Sequence, residues 1–185
     1  TDAVINDWGG LPFQALMKGI DYALAQHSWM DSARVGALGG SYGGFMANYL
    51  NGAADNRYKA LVNHDGVFDT VSMAYSTDEL WFTESEYCPQ NERGCTPWER
   101  PEGFERFNPR NLVYKWQTPT LIIHGGKDYR IPISQGISAF TALQRRGIPS
   151  KLLYFPLENH WVLNSANGIT WFNEVIAWLD QYVKG

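Results

Sequence analysis

Three residues have the chemistry and the setting of an acyl-transfer site: Ser41, Asp128 and His160. Ser41 lies in Gly39-Gly40-Ser41-Tyr42-Gly43, which fits the G-x-S-x-G corner, a strained strand-to-helix turn whose small neighbours let the two segments pass closely. The helix that follows such a corner aims its N-terminal N–H groups at the place where negative charge develops. Asp128 and His160 would supply what a serine hydroxyl lacks, a base to take its proton and a carboxylate to hold that base in one tautomer. Taken singly, each has a plain structural reading. The Ser41 segment fits a glycine turn, Asp128 a solvated turn residue after Gly125-Gly126, and His160 beside Trp161 a packed histidine. A phosphate-binding loop is excluded by spelling, since no Lys-Ser or Lys-Thr follows the glycines and no G-x-G-x-x-G occurs.

The elements that must carry these residues join them. Apolar runs at 35–38, 59–64, 120–124 and 151–155 read as buried strands, the second closed by Asp65-Gly66. Residues 11–27 place Phe13, Leu16, Met17, Ile20 and Leu24 on one helical face, with Pro12 in the opening turn, where a missing N–H costs nothing. A helix begins at Phe45, a short one is predicted over 77–82 with Thr77 as N-cap, and another over 133–146 with Gly147 as its stop. Trp171, Phe172, Val175, Trp178, Leu179 and Tyr182 form the face of a closing helix. Residues 84–111 show no sustained period and read as an irregular, aromatic-bearing flap. Strands separated by helices imply an α/β fold, a parallel sheet covered on both faces. The carboxyl ends of parallel strands share one edge, so Ser41, Asp128 and His160, each after a different strand, converge there in the order Ser, Asp, His of α/β-hydrolases. Asp65 with His64 is a reserve pair in the wrong order, His124 reads as structural, and His27 ends a helix.

Longer stretches carry a resemblance. Gly39-Gly40-Ser41-Tyr42-Gly43-Gly44-Phe45-Met46, His124-Gly125-Gly126-Lys127-Asp128-Tyr129-Arg130-Ile131-Pro132 and Glu158-Asn159-His160-Trp161 resemble the three catalytic blocks of the prolyl oligopeptidase family of serine peptidases. Asn63-His64-Asp65-Gly66-Val67-Phe68-Asp69, Glu79-Leu80-Trp81-Phe82 and Asp7-Trp8-Gly9-Gly10 are similar to its dipeptidyl-peptidase V branch, close to the acylaminoacyl peptidases. The resemblance implies an α/β-hydrolase fold with Ser41 as nucleophile, Asp128 as orienting acid, His160 as general base and the Tyr42 backbone N–H as an oxyanion donor. It implies a serine exopeptidase that releases N-terminal dipeptides or acyl-aminoacyl units from short peptides through an acyl-enzyme. The same triad would also serve a carboxylesterase. Members of this family carry further strands and a β-propeller ahead of the nucleophile, and only four strands are predicted here. Residues 1–185 are therefore expected to be the C-terminal part of a hydrolase domain, with the early strands, propeller and second oxyanion group outside it, and a catalytically inactive fragment is the reading from another class. The substrate pocket is expected to use Phe68, Trp81 and Phe82, with the flap nearby.

Composition bounds the rest. The 185 residues are 44% hydrophobic and 15% aromatic, with eight Trp, as a packed domain requires and a disordered chain does not. A net charge of −4 gives no basic footprint for nucleic acid or an anionic membrane. No metal-ligand cluster or cofactor motif is present in the sequence, and the resemblance implies a short peptide as partner, with no expectation for the oligomer. Cys88 and Cys95 would close a small loop in an oxidising compartment, secreted or periplasmic, or remain two thiols in a cytoplasmic one.

Overall fold

The computed structural model describes residues 4–89 and 94–184. Four strands, β1 (Gly36–Gly40), β2 (Ala60–His64), β3 (Thr120–Gly125) and β4 (Ser150–Phe155), form one all-parallel sheet in the order β1-β2-β3-β4. Gly40 pairs with His64, His64 with Ile123 and Gly125 with Phe155, so the strands terminate nearly level along one edge. Among the described residues β1 and β4 are the outer strands, and Leu38 of β1 is 55% exposed.

Alternate side chains of the inner strands enter different cores, as the period of a strand requires. Ala60, Val62, Leu121 and Ile123 meet Val175 and Trp178 of α7 (Ser165–Leu179) on one face. On the other face, Leu61 joins Phe45, Met46 and Leu50 of α2 (Tyr42–Ala53), while Ile122 joins Ala139 and Leu143 of α6 (Ile133–Arg145). Helix α1 (Leu11–Gln26) leans on this side through Phe13, Met17 and Ile20, but none of its residues is fully buried and Leu16 is half-exposed. Asn51 of α2 links the layers. Its amide donates to the Thr118 carbonyl and Thr120 Oγ1, and its oxygen accepts from the N–H groups of Gln117 and Thr118.

The segment between β2 and β3, of which residues 84–111 were read as irregular, is more structured than its sequence suggested. Short helices α3 (Thr70–Ala74), α4 (Leu80–Glu86) and α5 (Pro101–Glu105) and a 3-10 turn (Pro109–Lys115) fold back over α2. Residues 77–79, expected to open a helix, form instead a turn in which Thr77 Oγ1 accepts from the Glu79 N–H, and α4 starts after it. Cys88 and Cys95 are joined as a disulfide with Cα atoms 5.6 Å apart, which decides the alternative left open by the sequence. Both lie in the same core as Tyr87, Phe104 and Trp8. Helices this short cannot sustain themselves by propensity, so tertiary packing and the disulfide hold the layer in place.

The corner between β1 and α2 is a backbone-to-backbone contact. A Cβ on Gly39 would stand 2.5 Å from the Gly43 carbonyl carbon, and one on Gly44 would stand 2.6 Å from the Gly66 Cα, whereas one on Gly43 would meet nothing within 4 Å. The two glycines of the G-x-S-x-G spelling therefore have different work. Gly39→Ala is expected to lower stability by about 1–3 kcal/mol or more, since the clash is with backbone. Gly43→Ala, adding a better helix former in open space, is expected to leave stability unchanged or raise it by up to about 1 kcal/mol. Urea unfolding midpoints compare the two, and equal costs would show that the contact does not constrain the corner.

Candidate active site

The three residues brought forward by the sequence sit at the ends of β1, β3 and β4. Ser41 caps α2 with φ 57° and ψ −117°. A positive φ in a residue with a Cβ costs about 1–3 kcal/mol, and this one is held by neighbours on both sides. The Ser41 N–H donates to the His64 carbonyl of β2 at 2.9 Å, and the Ser41 carbonyl accepts from the Phe45 N–H at 2.9 Å. The strained turn lifts the side chain out of the sheet and sets it at the N-terminus of a twelve-residue helix, whose first N–H groups, Tyr42 among them, have no partner within the helix.

Asp128 and His160 are hydrogen-bonded, Nδ1 to Oδ2 at 2.7 Å, and both residues are buried. The other carboxylate oxygen of Asp128 accepts from the N–H groups of Arg130 at 3.1 Å and Ile131 at 2.9 Å. The acid is thus locked by its own turn, and a buried carboxylate needs such partners. The loop carrying His160 is sewn to this turn through the Lys127 N–H to the Glu158 carbonyl and the Gly126 N–H to the Phe155 carbonyl, each 2.8 Å. Gly125 admits the approach, since a Cβ there would lie 2.2 Å from the Asn159 carbonyl oxygen. Beyond His160, the Glu158 carboxylate accepts from the Leu163 N–H, the Asn164 N–H and the Asn167 amide, closing the loop onto the start of α7. The Asn167 amide, followed by the Leu163 N–H, holds this carboxyl below its ordinary value of 4.5.

A pocket of about 200 Å3 opens beside Ser41, lined by Trp8, Ser41, Tyr42, Met73, Glu79, Phe82, Arg130 and Ile131. Arg130 and Ile131 follow Asp128 directly, so the pocket joins the Ser41 corner to the acid's turn. Trp8 is its best-anchored wall. Its indole N–H donates to Glu86 at 2.9 Å, and its ring packs against Tyr42, Phe45, Phe82 and Tyr87 with centroids 5.0 to 5.4 Å apart. The Tyr42 hydroxyl donates to the Trp8 carbonyl at 2.8 Å, and burial raises that phenol to about 12. Across the pocket Arg130 pairs with Glu79 at 2.6 Å.

A second carboxylate, Asp65, lies at the end of β2 with φ 50° and 1% exposure. Donor atoms of Asp65, His124 and Asp128 come within 4.8 Å of one another. Asp65 follows β2, and His124 and Asp128 belong to the end of β3, so the parallel pairing of these neighbours brings the three together at the same edge. Hydrogen bonds within the protein already use these groups: His124 Nε2 bonds the Ile131 carbonyl at 2.7 Å, Asp128 bonds His160, and Asp65 accepts from the Gly125 N–H at 3.3 Å.

The description of the prolyl oligopeptidase family matches residues 1–185. The chain belongs to the prolyl oligopeptidase family. It is 45% identical over its whole length to dipeptidyl-peptidase 5 of Schizosaccharomyces pombe, of which it covers 26%, and 42% identical over 184 residues to dipeptidyl-peptidase 5 of Aspergillus oryzae, of which it covers 24%. It spans about a quarter of the length of these curated relatives. In structure it is similar to the acylaminoacyl peptidase of Pyrococcus horikoshii, with a TM-score of 0.88 at 24% identity over 99% of this chain and 30% of that one. An acylaminoacyl peptidase in complex with Z-Gly-Gly-Phe-chloromethyl ketone gives 0.90 at 23% identity over 99% of this chain and 29% of that one. These likenesses show the fold, that of an α/β-hydrolase.

In this member of the prolyl oligopeptidase family the three expected pocket aromatics part company. Phe82 lines the pocket beside Ser41. Phe68 does not: it is buried edge-on against Trp116, in the core formed with Ile122, Ala139 and Leu143. Trp81 is 66% exposed, is not among the residues lining the pocket, and packs edge-on with Phe82. The split between Trp81 and Phe82 follows from helical geometry, since consecutive residues of α4 point to different sides and only one can face Ser41. Trp8, Met73, Glu79, Arg130 and Ile131 were not singled out for the pocket, because contact between segments so far apart leaves no periodic signal.

Glu158 gives a test of how the loop holding His160 is fixed. Its carboxyl is held low in the folded chain, so its contribution is present above the ordinary value of 4.5 and is lost as pH falls through the folded value. Glu158→Gln should therefore be less stable than the parent at pH 7, with the gap closing on acidification below about pH 4.5. Paired unfolding curves across that range check it, and a gap that stays constant would show that the charge does not hold the loop.

Proposed function

We propose that this chain carries the active site of a serine exopeptidase that releases N-terminal dipeptides from short peptides. The observation that carries the proposal is the 2.7 Å bond from His160 to Asp128 on the same sheet edge as the strained Ser41 corner. In this reading His160 Nε2 takes the proton from Ser41 Oγ as the oxygen attacks the substrate carbonyl. The Nδ1–H stays on Asp128, which fixes the tautomer and stabilises the imidazolium. The N-terminal N–H of Tyr42 faces the oxyanion. The proton then passes from Nε2 to the departing amine, and water repeats the cycle on the acyl-enzyme.

Several features support the finer assignments. The relatives at 42–45% identity are named dipeptidyl-peptidase 5, whereas the acylaminoacyl neighbours share only 23–24%, so removal of dipeptides is the preferred release. The disulfide favours an oxidising, secreted or periplasmic setting. The exposed outer strand β1, together with relatives about four times as long, supports a C-terminal catalytic segment working within a larger peptidase. The pocket is taken to hold the side chain next to the cleaved bond. Its aromatic and Met wall suits an apolar group, and a charge seated there without a partner would be costly.

Two measurements test this in the intact protein. A fluorophosphonate is expected to label Ser41, and Ser41→Ala is expected to abolish labelling and lower dipeptide release by several orders of magnitude. Labelling that persists in Ser41→Ala, or turnover of aryl esters without turnover of dipeptidyl substrates, would overturn the assignment. Phe82→Ala is expected to change the ratio of kcat/KM for Leu over Ala at the cleaved position by about tenfold. Trp81→Ala should leave that ratio unchanged, and the reverse pattern would move the pocket to the outer face of α4.

A further inference from the structure

Asp65 has more buried polar character than a turn residue needs. Its Oδ1 is used by the Gly125 N–H at 3.3 Å, with His124 Nδ1 3.8 Å away. Its Oδ2 is buried and has no hydrogen-bond partner, although His64 Nε2 is 2.9 Å away and out of line, and His160 Nδ1 is 3.9 Å away. The residue also sustains a φ of 50°. An unsatisfied carboxylate oxygen and a positive φ at one buried position are each costly, and their coincidence calls for a function. The neighbour that would repay the cost is His160, whose Nδ1 stands between two carboxylates, Asp128 at 2.7 Å and Asp65 at 3.9 Å.

We propose that Asp65 is a second positioning carboxylate for His160. The inference rests on the peptidase reading above and adds a residue to it. In the resting chain His160 Nδ1–H belongs to Asp128. When Ser41 Oγ forms its bond to the substrate carbonyl and gives its proton to Nε2, the ring becomes a cation, and Asp65 lies close enough to share its charge through a low-dielectric interior. The idle Oδ2 is the acceptor to which Nδ1–H turns when Asp128 cannot take it. The two carboxylates approach from different strands, β2 and β3, so neither can be displaced without moving the sheet edge. They differ in rank because Asp128 is already held by two N–H groups of its own turn, which align it, and Asp65 by one.

The deciding experiment compares Asp128→Asn with Asp65→Asn/Asp128→Asn in the intact protein. Asn keeps the size of Asp65 and tolerates positive φ. Activities are expressed per folded molecule, from near-ultraviolet circular dichroism, so a loss of folding does not count as a loss of catalysis. With its partner acid neutralised, Asp128→Asn is expected to lose about 10^3- to 10^4-fold in kcat. The double variant is expected to fall at least about tenfold further in kcat at unchanged KM, as neighbours acting on one group do. A double variant within a factor of two of Asp128→Asn, or one whose KM alone changes, would overturn the proposal and leave Asp65 as a tie between β2 and β3. Failure of the peptidase reading is recognised separately, because wild type would then not be labelled at Ser41 by the fluorophosphonate.

Discussion

Two carboxylates taken out of water within one sheet edge, Asp65 and Asp128, set the terms for everything around them. A buried charge persists only where hydrogen-bond donors or counter-charges meet it. For Asp128 the donors are local: the chain turns immediately after the acid and folds two N–H groups back onto it. For Asp65 the donor is remote, the Gly125 N–H at the end of β3, and imidazoles on β2, β3 and the β4 loop stand nearby without a hydrogen bond to it. The first arrangement is rigid and survives in a short sequence block. The second exists only once the four parallel strands are in register.

Register in turn depends on two backbones touching. The contact of Gly39 with Gly43, and of Gly44 with Gly66, lets α2 leave β1 directly over the end of β2. A side chain at Gly44 or Gly66 would push the helix from the sheet and with it the serine from the edge where the acid and imidazole lie. The strain of Ser41 is therefore maintained by packing on both sides, with its N–H fastened to β2 and its carbonyl to the helix it begins. Asn51, further along the same helix, anchors the opposite end to the start of β3.

This hierarchy explains what the sequence could reveal. The inner strands β2 and β3, buried on both faces, leave continuous apolar runs, the outer two leave shorter ones, and all four appeared within a residue or two of their ends, while parallel pairing alone brought Ser41, Asp128 and His160 to one edge. Asp128 was legible because the residues that satisfy it are its immediate neighbours. Helices α3 and α5 were not, since runs of five residues have too little periodicity to register and owe their form to packing and the Cys88–Cys95 bond, while α4 was expected three residues early, over 77–82. Phe68 was misplaced for a related reason. Proximity in sequence to the strand end does not say which face a residue takes, and Phe68 turns toward Trp116 and α6.

The site is thus made from two kinds of structure with different constraints. Ser41, Asp128 and His160 ride on the sheet, where a shift of one residue in register would misalign all three. The pocket wall comes from segments with no strand of their own: Trp8 ahead of α1, Met73 on α3, Phe82 on α4. Those segments are tied to one another through Glu86 on the Trp8 indole, the tilted and edge-on packing of Trp8 with Phe82 and Tyr87, and the disulfide beside Tyr87. The Glu79–Arg130 pair and the Asp78 N–H on the Tyr129 carbonyl bridge the two, joining the turn before α4 to the residues just beyond Asp128. Changes in the excursion can therefore reshape the pocket while leaving the Asp128–His160 bond in place, whereas changes at Arg130 and Ile131, whose N–H groups hold Asp128, reach the carboxylate directly.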